Sequence, residues 1–113
     1  MDMNRLAAYK DNQRDAKLLG IEIERMETGC ADFPAGLPQA LKAKRAELQE
    51  LQFELRSIAA WLDSLTLIEC FVVRMHLIEK LTWRLVLHFY IKEFGEQPCK
   101  STLIRIQQNA LTK

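Results

Sequence analysis

Glycine and proline are scarce, at 4 and 3 of 113 residues. Gly20 apart, all of them fall within 29–38 and 95–98. Helix-breaking residues are therefore confined to two places, which leaves long stretches for uninterrupted elements. Cysteine is also scarce: Cys30, Cys70 and Cys99 are odd in number and lack C-x-x-C spacing. That argues against a disulfide framework and a zinc site, and for free thiols in a reducing cytoplasm. No apolar run approaches the roughly 20 residues of a membrane span, and Met1–Asn4 leads into no signal-peptide core. No membrane partner is expected. There is no phosphate-cradling glycine loop, no G-x-S-x-G and no H-E-x-x-H, so neither an enzyme nor a cofactor is expected. His76 and His88 lie far apart with no carboxylate pair at ligand spacing, and read as satisfied or surface histidines. Net charge is nearly absent, at +1.

What remains is helix-forming sequence. Leu, Ala, Glu, Lys, Gln and Arg dominate, the residues that lose least on entering a helix. In residues 4–27, Leu6, Tyr9, Ala16, Leu19, Ile23 and Met26 recur at helical steps, with Asp2 or Asn4 as cap. Thr28-Gly29 supplies the stop, and 28–38 is a linker from which Phe33 and Leu37 are expected to pack back. In 38–64, Leu41, Leu48, Leu51, Leu55, Ile58, Leu62 and Leu65 are spaced as a heptad seam. Lys44 interrupts it, either snorkelling or fixing register. Neither stripe is buried by its own helix, so the two helices are expected to pair.

Thr66-x-x-Glu69 is a capping box before an apolar run, and predicts a buried helix to Glu79. Thr82 caps a helix over 83–94, which Gly95 closes. Ser101 is expected to cap a last helix, 102–112, anchored by Leu103, Ile106 and Ala110. Trp61 and Trp83 read as core or interface aromatics. The fold expected is all-α: a long antiparallel, coiled-coil-like hairpin over residues 1–64, followed by a C-terminal three-helix helix-turn-helix unit over 65–113.

Charge divides unevenly. Residues 1–65 hold nine Lys/Arg against eleven Asp/Glu, and residues 66–113 hold seven against four. The last helix carries the chemistry of a groove-reading element. Lys100, Ser101, Thr102, Arg105, Gln108, Asn109 and Thr112 share its polar side, with no acid between Lys100 and Lys113. Arg pairs bidentately with guanine and Gln or Asn with adenine, while a helix N-terminus favours phosphate. Arg84, on the helix that would cross the DNA backbone, completes the candidate DNA-binding set.

A resemblance joins these residues. Leu65-Thr66-x-x-Glu69, Val72-Val73, His76-Leu77-Ile78, Leu81-Thr82-Trp83, Ser101-Thr102-Leu103-x-Arg105-Ile106 and Ala110-Leu111 resemble the C-terminal pattern of sigma-70 region-4-like proteins. Most similar are the small phage-encoded late-gene regulators of the ArpU and RinA type. The Trp83–Phe94 segment and the Gly95–Lys100 turn, with its Pro98, are longer than is usual there. The resemblance implies a transcription regulator with base-facing Ser101, Thr102, Arg105 and Gln108. It implies DNA as partner, a homo-oligomer (a dimer), and a hairpin that dimerises or contacts RNA polymerase. Two other functions fit the same sequence: a helical protein–protein interaction module, as adaptor or regulator inhibitor, and a small terminase-like DNA-packaging subunit.

Overall fold

The computed structural model describes residues 1–29 and 37–113. Their order is α1 (Met3–Ala7), α2 (Tyr9–Thr28), α3 (Leu37–Asp63), α4 (Leu67–Val73), a π-turn (Arg74–Ile78), α5 (Trp83–Phe94) and α6 (Lys100–Leu111). The chain is all-helical, with no strand among the described residues. None of these helices is long and apolar enough to cross a membrane. Cys30 and Phe33 lie outside the described residues, and of Leu37 only the backbone is described. Contacts divide the chain into two compact units, Met1–Lys10 with Ile58–Lys113, and Asp11–Ser57. The first ten residues thus belong with the C-terminal helices.

The second unit is the hairpin of α2 and α3. Leu19, Ile23 and Met26 are buried, while Leu41, Leu48, Leu51 and Leu55 are half-buried. Ion pairs tie the two helices: Lys44 to Glu22 at 2.7 Å, and Arg45 to Glu27. Lys44, the break in the seam, therefore spends its charge on α2.

In the first unit, Asp2 caps α1 by accepting from Asn4 N–H at 2.7 Å. The single helix expected over 4–27 is interrupted at Ala8, which leaves the helical pattern at φ −86 and ψ −8. Ala is the best of helix formers, so no residue announces this break.

The capping box is formed as the sequence predicts. Thr66 Oγ1 accepts from Glu69 N–H (3.2 Å), and Glu69 Oε1 accepts from Thr66 N–H (3.1 Å). Lys113 Nζ also reaches Glu69 Oε1, at 2.6 Å. The Lys113 ammonium first, and the Thr66 N–H second, hold the Glu69 carboxyl below its ordinary 4.5, against the opposing pull of burial. A carboxyl depressed in the folded state stabilises fully above 4.5, and that contribution fades as pH falls through its lowered value. In chemical denaturation between pH 7 and pH 3, wild-type protein is expected to lose more stability than Glu69→Gln. Equal losses would contradict it.

The helix predicted to run to Glu79 changes character after Val73. Glu79 N–H donates to the Arg74 carbonyl at 2.8 Å, five residues back, which marks the π-turn. Lys80 then sits at φ 58, the only positive-φ residue other than glycine among those described. A side chain there costs about 1–2 kcal/mol, partly offset in glycine by its freer unfolded chain. Lys80→Gly should stabilise the protein by about 0.5–1 kcal/mol in a denaturant titration.

Thr82 caps α5 by accepting from Leu85 N–H at 3.4 Å, and Gly95 ends it at φ 73. Val72, Val86, Tyr90 and Leu103 form the core that joins α4, α5 and α6. Phe71 meets Phe94 and Tyr90 edge-on, with centroids 5.2 and 6.1 Å apart. Such pairs are worth about 0.5–1.5 kcal/mol beyond area burial.

Candidate nucleic-acid interface

The candidate site is built on α6. Its start differs from expectation: the cap is Cys99, not Ser101. Cys99, extended at φ −75 and ψ 157 just after Pro98, offers its carbonyl to Thr102 N–H (3.1 Å) and Leu103 N–H (3.3 Å). Ser101 therefore lies inside the first turn and is exposed. Cys99 makes no side-chain cap bond, and no acid occupies the first turn. The first N–H groups of α6 thus lack a capping side chain, and the positive end of the helix dipole meets no carboxylate.

The helix presents two distinct sides. Leu103, Gln107 and Ala110 are buried, and Ile106 packs against the core. Lys100, Ser101, Thr102, Arg105, Gln108, Asn109 and Thr112 are all exposed. None of the ion pairs among the described residues involves Arg84, Lys100 or Arg105.

Arg84 is exposed in the first turn of α5. Trp83, Arg84, Leu87 and Lys100 line a common groove. The Gly95–Cys99 connection therefore returns alongside α5 and sets the start of α6 beside the start of α5. Two of the candidate cations meet there, and Arg105, Gln108 and Asn109 continue along α6.

One residue that sequence reasoning left unassigned is Gln107, which is 7% exposed. Its Oε1 lies 2.7 Å from His76 Nδ1, and the His76 ring stacks on Trp83 at 3.8 Å and 20°. This polar contact ties α6 to the π-turn at one point, and burying both partners unmade would cost about 1–3 kcal/mol. The available signal was position: Gln107 follows Leu103 by four and precedes Ala110 by three, so it lies on the buried side.

Chemically, this surface has donors and acceptors for base edges and cations for phosphate. Among the described residues no group of three or more His, Cys, Asp or Glu side chains is placed to hold a metal ion. No protein-family profile, no curated protein and no solved structure matches the chain.

Proposed function

We propose that the chain is a DNA-binding transcription regulator of the phage late-gene type, acting in the cytoplasm and reading DNA through α6. One observation carries this reading: the entire polar side of α6 is exposed, acid-free and without ion pairs, while the opposite side is anchored in the core. Arg105, Gln108 and Asn109 have the chemistry of base readers, and Ser101 and Thr102 sit at the uncapped N-terminus that suits phosphate. Arg84 and Lys100, on one groove, supply the backbone contacts that set register. The protein binds rather than catalyses. As a dimer it would present two α6 helices about 34 Å apart, one turn of the duplex, with the α2–α3 hairpin either dimerising or contacting RNA polymerase.

The test is fluorescence anisotropy with labelled duplex DNA across a salt series. Log affinity should fall linearly with log salt, with a slope near −0.9 per phosphate contact. Absence of binding at about 50 mM salt would refute the proposal.

A specific observation favours a second reading, a protein-interaction module. Met75, Glu79, Leu81 and Phe89 line an apolar groove, beside which Leu85 is 43% exposed. A heteromeric partner recovered with no DNA affinity would select that reading.

A further inference from the structure

The groove between the starts of α5 and α6 has an aromatic wall that phosphate contacts alone leave unused. Trp83 and Leu87 line it together with Arg84 and Lys100: two apolar residues, two cations and no acid. Both apolar residues also pack against the core of Val72, Val86, Tyr90 and Leu103, which fixes their place. The groove holds about 270 Å³, at the small end of the roughly 300–1,000 Å³ of ligand pockets. That is room for a single ring system and not for an extended molecule.

Trp83 is held as a platform. The His76 ring covers one face of the indole, and His76 is fixed in turn through Nδ1 to the buried Gln107. No second ring lies on Trp83 among the described residues, so the stack ends at the indole. A bare phosphate would use the two cations and leave Trp83 and Leu87 wet. A purely apolar side chain would leave the cations idle. A nucleobase with its flanking phosphates is flat and apolar in one part and anionic in the next, and uses all four residues. A base inside a duplex is already stacked by its neighbours, so only an unpaired one can lie on Trp83. Lys100 also begins the acid-free polar side of α6, so one DNA strand can run from the groove towards Arg105.

We propose that the groove lined by Trp83, Arg84, Leu87 and Lys100 binds an unpaired base of a DNA strand, stacked on Trp83, with the neighbouring phosphates on Arg84 and Lys100. The protein then prefers DNA in which a short single strand adjoins the duplex. This rests on the reading of α6 as a DNA-binding element and adds a ligand class that a helix in the major groove does not require. Every base has a π face, so the preference is for the unpaired state and not for a sequence.

The experiment is fluorescence anisotropy on the full chain with three labelled DNAs at the same low salt. They are a duplex paired throughout, the same duplex with an overhang of a few thymidines, and that overhang made abasic. Wild-type protein should bind the overhang about 5- to 150-fold more tightly than the paired duplex, the worth of one stacked base, and the abasic form should lose that gain. Trp83→Leu, with helix content confirmed by circular dichroism, should bind all three alike. Lys100→Ala should weaken all three by similar factors and keep the preference. Trp61 Nε1 has no hydrogen-bond partner among the described residues, so Trp61→Phe breaks none. In that variant Trp83 is the only indole, and oligo-thymidylate should quench its emission saturably. Equal wild-type affinity for overhang and paired duplex would overturn the groove and leave the α6 reading standing. Binding of oligo-thymidylate with no affinity for the paired duplex would do the reverse. Quenching of Trp83 by an acidic, Phe-containing peptide and not by oligo-thymidylate would assign the groove to a protein partner and overturn the proposal.

Discussion

Arg105→Ala should reduce affinity for duplex DNA by about 1–3 kcal/mol, roughly 5- to 150-fold, with almost no change in folding stability. The two halves of this expectation come from one fact: Arg105 is exposed on α6 and has no ion-pair partner among the described residues. Removing such a side chain changes stability by no more than about 0.5 kcal/mol. On the proposed function, its loss would be felt where it forks onto a base. Arg105→Lys should recover only part of the affinity, since an ammonium cannot reproduce a bidentate fork. Lys100→Ala should act differently, weakening all DNA sequences alike and lowering the salt slope by about one. Anisotropy titrations with matched and scrambled duplexes distinguish the two. If Arg105→Ala binds DNA as wild-type does, α6 is not the reading element.

Leu103→Ala should destabilise the protein by about 2–5 kcal/mol in chemical denaturation. Leu103 is fully buried, and it sits with Val72, Val86 and Tyr90 where three helices meet. Truncation leaves a cavity whose walls belong to different elements, so collapse around it is restricted. A domain of this size has about 5–15 kcal/mol in total, and the loss is a large share. The neighbouring Ile104, half-buried, should lose less on the same truncation. A cost below about 1 kcal/mol for Leu103→Ala would contradict the anchoring of α6.

The parts legible in the sequence are those decided by local chemistry. Thr66 with Glu69, Thr82 and Gly95 each perform the capping role that their residue type favours, because a cap involves only a few successive residues. The α6 cap lies at Cys99, two residues before the Ser101 that its residue type favours. A good capping residue lost to a poor one because the backbone after Pro98 is already extended at Cys99. The break at Ala8 and the π-turn at 74–78 carry no residue-level signal. They answer to packing: α1 lies against the π-turn and Leu6 is fully buried. For the candidate site, periodicity correctly separated Leu103 and Ala110 from Arg105 and Gln108. It could not foresee that Arg84 and Lys100 share a groove, since that depends on the route of five connecting residues.

The π-turn makes the α6 surface sensitive to length rather than to composition. A π-turn holds one residue more than an α-helical turn would. Removing any one residue of Arg74–Ile78 would allow regular helix to continue, and each residue of helix is worth about 100° of rotation. His76 would then no longer meet both Trp83 and Gln107, and the polar contact that ties α6 to the π-turn would be lost. A single-codon deletion would thus change how the exposed polar face of α6 is presented while leaving every one of its residues in place.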